Sequence, residues 1–371
     1  MNKTIWIAAA FILVLGALTA GIVSAWPSVS SRPERAASPL SGHATNKTEQ
    51  PAVVETAHTY PDVGYFPIFS LNIHDWGDIG ESVAAVTRVL DIHEKYGVPV
   101  DLYFTDPLFR LYVKQAPELI DRLKTSTVAT VAYHIRPPVP YYPGFDWLKL
   151  SGYSDKDMYN LVMDYETHAL DLSTGRPTDE PGGYKYVADV IGYAPIGVGS
   201  VGMGRVGDVV GSVYHDLGAE FMVEHGKTYA LGQEAKGGLL YRPEDVALKL
   251  YESAPRTQDG GAVIEDAVDG TNPSASRIFV GIKYHEDNFY YTAGTPWLPV
   301  YYAGKDRDET LDPPYNLSLG TTGGRMQTAL EDKQDWDLYE SAVKFVSEHS
   351  DEYHAVNLRD LANMVLEEKS L

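Results

Sequence analysis

Residues 66 to 135 alternate strand-like and helix-like runs, and that alternation restricts the fold more than any other feature of the chain. FPIFSLNIHDW, VPVDLYFT and TVATVAYHIRPP read as strands, because apolar residues recur in them with period two. Between them stand Asp78 to Gly97, with Val83, Val86 and Leu90 at helical spacing and Lys95 in its last turn, and the shorter PELIDRLKTS. Strands joined through helices pair in parallel, since the helix supplies the crossover that a parallel neighbour needs. The region therefore predicts βαβ units in a parallel sheet or barrel.

The later chain continues the pattern less regularly. SDKDMYNLVMDYETHALDL reads as a helix, IGVGSVGMGRVG as a strand and turn, AEFMVEHG and RIFVGIKYHEDNFYY as strands. WDLYESAVKFVSEHS is an amphipathic helix, and YHAVNLRDLANMVLEE a strand followed by a last helix. Seven or eight strands alternating with helices over about 310 residues suit one irregular (β/α) barrel with long aromatic loops, covering residues 60–371. Glycines 197, 199, 202 and 204 do not fit the G-x-G-x-x-G spacing of a dinucleotide loop, so they read as tight turns at a barrel rim.

Ahead of this domain, residues 1–25 hold one lysine, an uncharged apolar run and small residues at Val23-Ser24-Ala25. This is an export signal, either cleaved or retained as an anchor, since about 20 apolar residues span a bilayer. Residues 26–59 shift to Ser, Pro, Ala and Thr, the composition of a linker without a core. Both features place the domain outside the cytoplasm: secreted, periplasmic or membrane-anchored facing outward. The net charge of −21 argues against nucleic acid and anionic lipid as partners. With no cysteine, disulfides, thiolate metal sites and a lipoprotein anchor are excluded, leaving histidine and carboxylate as the strong metal ligands.

The strands carry polar groups on one face. In a parallel barrel one face of each strand packs on helices and the other points to the axis. Phe69, Leu71 and Ile73 then meet the helices while Ser70, Asn72 and His74 point inward. Val131, Tyr133 and Ile135 alternate in the same way with Thr130, Ala132, His134 and Arg136; Ile278, Val280, Ile282 and Tyr284 alternate with Phe279, Gly281, Lys283, His285 and Asp287. Each inner face ends in histidine near the C-terminal end of its strand, where barrel active sites lie. His225, closing AEFMVEHG, is a fourth candidate; His43, His58, His93, His168, His215, His349 and His354 fall in linker or helix contexts and read as structural.

Burying such groups costs free energy unless they are paired or hold a metal. Neutral imidazoles with one carboxylate give three ligands and an open position, the arrangement of a catalytic zinc that lowers the pKa of its bound water towards about 7. Asp75, His134 and either His74 or His285 can supply it, and His285 with Glu286 and Asp287 then serve proton transfer.

SLNIHDW followed by VTRVLDIHEKYGVPVDLYFT, GRPTDEPGGYKYVADVIGYAP, and the closing VKFVSEHSDEYHAVNLRDLANMV together resemble the polysaccharide deacetylase family, carbohydrate esterase family 4. The resemblance covers most of residues 66 to 368 in order, with diverged motifs. It implies a metal-dependent hydrolase that removes acetyl groups from a polysaccharide or oligosaccharide. On that likeness Asp75 matches the metal-binding aspartate, His74 replaces the aspartate that acts as base, and His134 matches the first histidine of a His-Ser/Thr-x-x-His motif. Pro138 stands where the second histidine belongs; His285 or His74 can replace that ligand and Glu286, Asp287 or His74 the base, and Asp75, His134 and His285 are the expected zinc ligands.

His74, Asp75, Arg136, His285, Glu286 and Asp287 are the expected catalytic groups, with Arg136 on the oxyanion or on an acidic sugar. Tyr141, Tyr142, Trp147, Trp297, Tyr301 and the adjacent Tyr302 are expected platforms for sugar rings. Two other readings compete. A metal-independent glycoside hydrolase would pair Asp75 with Glu286 or Asp287 across the bond. A non-catalytic envelope protein would keep the barrel and bind carbohydrate. No G-x-S-x-G elbow supports a serine hydrolase.

Overall fold

A computed structural model describes residues 60–135, 141–142, 145–199, 201–253, 256–292, 298–303, 309–322 and 325–370. The expected N-terminal signal and linker lie outside these residues, as do Arg136 and Trp297. The chain divides into units Met1–Ala52 and Val53–Leu371, and everything below belongs to the second.

Eight strands form one parallel, curled sheet: β1 (Gly64–Ile73), β2 (Val100–Phe104), β3 (Ala129–Tyr133), β4 (Gly197–Val198), β5 (Phe221–Met222), β6 (Leu240–Tyr241), β7 (Val246–Lys249) and β8 (Arg277–His285). Their order is β6-β5-β4-β3-β2-β1-β8-β7, every pair parallel. Nine helices of nine residues or more are described: α1 (Ile79–Tyr96), α2 (Asp106–Gln115), α3 (Pro117–Thr125), α4 (Asp155–Thr167), α5 (Gly183–Ile191), α6 (Gly204–Asp216), α7 (Gly260–Val268), α8 (Ala329–Glu348) and α9 (Leu358–Ser370). The expected α/β barrel architecture is what the chain adopts.

The two edges of the sheet, β6 and β7, are consecutive in sequence, with only Arg242 to Asp245 between them. Arg242 N–H still donates to Met222 O of β5 at 2.9 Å, and Asp245 N–H already donates to Phe279 O of β8 at 2.8 Å. One short run of chain thus bridges the gap that an open sheet would leave as two unpaired edges.

The period-two reading of β1 holds in space. Phe69 meets His93 of α1 and Tyr339 of α8 edge-on, with ring centroids 5.2 and 6.4 Å apart, so this face packs on helices. Leu71, Ile73, Val131, Val280 and Ile282 join the same outer core. Each such buried side chain contributes about 1.5–3 kcal/mol. Ser70, on the opposite face, receives a hydrogen bond from Arg242 Nη1 at 2.5 Å. His93, expected to be structural, lies buried between Val98 O and the Tyr339 hydroxyl, and burial lowers its pKa to about 4.

At the N-terminal ends of the strands the interior is apolar. Phe66 and Ile68 of β1 and Phe279 of β8 cluster with Leu358, Leu361, Met364 and Val365 of α9. The lead-in to α9 is held to β1 by His354 N–H to Tyr65 O at 2.7 Å and Val356 N–H to Pro67 O at 3.0 Å. That lead-in was expected as a strand; among the described residues it forms one isolated parallel bridge, Tyr65 with Tyr353, along the start of β1 that lies ahead of the Phe69–Ile73 stretch paired with β2.

Two further readings change. The helix expected over residues 154–172 stops at Thr167, and His168–Asp171 turns into a hairpin with Arg176–Pro181. The glycine-rich run forms β4 and a turn as expected, but its last residues begin α6 after Gly202 and Gly204 adopt φ of 96° and 56°. Among the described residues no helix is long and apolar enough to cross a membrane.

Candidate functional site

The C-terminal strand ends gather the predicted polar groups. His74 and Asp75 follow β1, His134 follows β3, and His285 ends β8. The register pairs Asn72 with His285, so β1 and β8 deliver their histidines side by side. The His74 ring stands 5.1 Å from that of His285 and 5.9 Å from that of His134, both edge-on. The three imidazoles that the alternation pointed inward therefore surround one place, with His74 in the middle. Asn72 Nδ2 lies 3.3 Å from His285 Nε2.

Glu286 and Asp287 open a single 3₁₀ turn, Glu286–Phe289, that folds back across the end of β1. Glu286 Oε1 accepts the backbone N–H groups of His74 and Asp75, each at 2.5 Å, and the side chain is wholly buried. Burial, with Asp287 and Asp75 adding like charge, pushes the Glu286 carboxyl well above its usual range. Asp75 is buried too: Oδ1 accepts Gly77 N–H at 2.8 Å and Oδ2 accepts the Tyr290 hydroxyl at 2.8 Å. Burial still leaves its pKa raised, the Tyr290 hydrogen bond opposing. Tyr291 donates to Asp78 in parallel, so consecutive tyrosines tie the turn after β8 to the loop after β1.

The expected zinc ligands are not assembled as a set. Both oxygens of Asp75 already accept hydrogen bonds, and His285 Nε2 faces Asn72. Among the described residues no group of three or more His, Asp or Glu side chains converges to hold a metal ion. The donor chemistry suits zinc, but the trio Asp75, His134 and His285 does not fit one ion as it stands.

The aromatic candidates divide. Tyr301 is fully buried against Trp76 and Tyr315, with ring centroids 5.9 and 4.8 Å away, so it packs the loop core and offers no open face to a sugar. Tyr302 is buried as well. Trp147 is half-buried, with the Arg176 guanidinium 5.7 Å from its ring. Tyr141 and Tyr142 belong to a two-residue strand paired with Phe145–Asp146; their side chains lie outside the described residues.

Sequence reading missed Tyr290, Arg242 and Glu244. Tyr290 carried no signal beyond sitting in a tyrosine-rich stretch. Arg242 and Glu244 stand in YRPED, whose proline and charges read as loop, yet both are 1% exposed. Arg242 Nη2 donates to Glu244 Oε2 at 2.6 Å inside the barrel, and a Cβ at Gly281 would stand 2.0 Å from that same oxygen. A glycine where β8 should carry an inward side chain was the one available clue.

No family model matches the chain, and no curated protein matches it significantly. Among solved structures it is similar to 4-alpha-glucanotransferase from Thermococcus litoralis, with 14% identity and a TM-score of 0.39, over 62% of this chain and 34% of that one. The chain thus spans about a third of the length of that protein. It is similar as well to the peptidoglycan deacetylase PdaC from Bacillus subtilis, with 12% identity and a TM-score of 0.39, over 83% of this chain and 94% of that one. Likenesses this weak leave activity to be read from the site, which is a ring of three imidazoles and three carboxyls at the C-terminal mouth of a parallel barrel.

Proposed function

We propose that this chain is an extracytoplasmic hydrolase acting on carbohydrate, deacetylase-like in the bond it cleaves, and that the mouth formed by His74, Asp75, His134, His285, Glu286 and Asp287 is its active site. The observation that carries this is the convergence of His74 on both His134 and His285, beside carboxyls whose pKa burial raises. A neutral imidazole takes a proton from water, the water oxygen attacks the acetyl carbonyl carbon, and collapse of the tetrahedral intermediate expels the sugar amine or alcohol. A second imidazole or a protonated carboxyl returns the proton to that leaving group. Arg136 is assigned to the oxyanion and Tyr141, Tyr142, Trp147 and Trp297 to the sugar.

A second reading is favoured by Glu286. A carboxyl whose pKa is raised by burial and by neighbouring carboxyls is the kind of acid partner that glycoside hydrolysis needs, with Asp75 as the other member. One experiment separates the two. The full chain is incubated with acetylated and deacetylated glycans, and acetate and new reducing ends are both measured, with and without chelator, alongside metal content by elemental mass spectrometry. Acetate alone supports the deacetylase reading, and its loss with chelator together with about one bound zinc per chain would mean that the ligand trio assembles on metal binding. Reducing ends alone support the glycosidase. Neither product, with retained binding, leaves a carbohydrate-binding protein.

A further inference from the structure

Strands β7 and β8 carry two lysines that the site above does not use. The register sets Lys249 of β7 against Lys283 of β8, and Ala247 against Gly281. Residues two apart on a strand share a face, and the neighbours of Lys283 show which face this is. On one side, a Cβ at Gly281 would meet Glu244 Oε2 at 2.0 Å and Arg242 Nη2 at 2.8 Å inside the barrel; on the other, the His285 ring stands 5.1 Å from that of His74. Lys283 therefore lies on the inner face, about 7 Å along the strand from His285. Its charge is felt there: burial lowers the His225 imidazole to about 4, Arg242 adds to this, and Lys283 adds a further part.

Lys249 shares that face, because its neighbour Leu248 pairs with Ile282 and packs with it and Val280 in the helix-side core. Here the inner face is open to solvent. Ala247 and Lys249 are exposed and Lys283 is half-buried, whereas Leu248 between the first two is 4% exposed. β7 is one end of the sheet order, so the opening lies at the flank of the mouth, next to His285. A ligand seated on the histidines reaches these two lysines by extending one strand sideways.

The pairing runs against the fold and against the charge of the chain. Neighbouring strands stand about 4.8 Å apart, and like charges directly opposite destabilise a sheet. With 51 acidic residues against 30 basic ones the whole chain repels an anion at long range, so an anionic group binds only where cations are gathered locally. An ammonium is a compact point charge with rotatable donors, which suits a carboxylate or a phosphate alike.

We propose that Lys249 and Lys283 form an anion subsite on the flank of the mouth, which takes the carboxylate or phosphate of an acidic sugar unit adjoining the one held at His285. This rests on the carbohydrate reading of the mouth and narrows its substrate class to acidic glycans.

Calorimetric titration of the full chain with charge-matched pairs tests it: tetragalacturonate against its methyl ester, and mannose 6-phosphate against mannose, with N-acetyl-chitotetraose as an unrelated neutral probe. The charged member of at least one pair is expected to bind about tenfold more tightly, the worth of one charge-assisted hydrogen bond, and the preference should shrink as ionic strength rises. Preference within the first pair identifies a carboxylate, within the second a phosphate. Lys249→Gln combined with Lys283→Gln is expected to abolish the preference, and Lys283→Arg, which keeps the charge, to retain it. Lys249→Gln alone, at an exposed position, supplies the measurement if the double variant does not fold. Equal binding within both pairs, or a preference that survives the double substitution, overturns the subsite while the neutral probes still uphold the carbohydrate reading. Binding of none of the five sugars overturns that reading, and the subsite with it.

Discussion

The two ends of the barrel are built from the same strands and opposite chemistry. At the N-terminal end Phe66, Ile68 and Phe279 close on Leu358, Leu361 and Met364 of α9, and one buried carboxylate, Asp101, accepts the Leu358 N–H at 3.1 Å at the start of that helix. At the C-terminal end the same strands finish in His74-Asp75, His134 and His285-Glu286-Asp287. Apolar burial at one end supplies free energy that polar burial at the other consumes. The contrast separates residues that hold the barrel together from residues proposed to do its chemistry.

The sharpest way to break that division is Asp75→Asn. It keeps the size of the side chain and an oxygen for Gly77 N–H but removes the charge, so turnover is expected to fall by ~10²–10⁴-fold, with no loss in thermal midpoint. A matching loss of Tm would mean that the mouth is structural after all. The converse at the other end is Leu361→Ala, expected to cost about 2–5 kcal/mol in denaturant unfolding while leaving kcat/KM of the folded enzyme unchanged.

Acidity probes both ends together. Burial raises the carboxyls of Asp101 and Glu166 to about 7 and those of Asp106 and Asp335 to about 6, with Glu286 and Asp75 raised as well. Each carboxyl ionises earlier in the unfolded chain than in the folded one, so its contribution is fully present below its unfolded pKa and is lost as pH rises through its folded value. His93 and His225, lowered to about 4, act the other way, losing stability as pH falls through about 6.5 towards 4. The carboxyls outnumber them, so the thermal midpoint is expected to rise on going from pH 7.5 to 5.5. Asp101→Asn should flatten that rise from the plugged end. A midpoint that falls on acidification would contradict the assignment. The smallest effect belongs to neither end: Lys185→Ala, removing an exposed pair with Asp189 on α5, should change stability by less than ~0.5 kcal/mol.

Much of this was legible in the sequence where periodicity is strong. The outer and inner faces of β1, β3 and β8 follow from alternation, because a strand buried on one side by helices cannot shift register by one residue without inverting its core. The gathering of His74, His134 and His285 was legible for the same reason. Helix α2 was not: the run DPLFRLYVKQ carried no assignment between the strand VPVDLYFT and the helix PELIDRLKTS, although its buried Leu108, Phe109 and Tyr112 stand at helical spacing. Of the two-residue strands, β4 and β5 fall in runs already read as strands, whereas β6 (Leu240–Tyr241) is too short for a period to appear. The Arg242–Glu244 pair was illegible for a different reason. Charged residues flanking a proline signal solvent in nearly every context, and only the space left by Gly281 lets them turn inward. Tyr301 shows the limit of composition: an aromatic in a tyrosine-rich loop reads equally as a platform or a plug, and burial decides.

The pairing of β1 with β8 carries a consequence for the making of the protein. Asn72 and His285 are register partners 213 positions apart, so the first strand to leave the ribosome waits for the last before the barrel has both of its central neighbours. Loop closure over that distance is slow compared with local helix formation. A nascent or truncated chain ending before Arg277 holds His74 and Asp75 without Glu286 to fix their backbone. Until β8 is made, the His74 and Asp75 backbone N–H groups lack the Glu286 acceptor that the folded chain gives them.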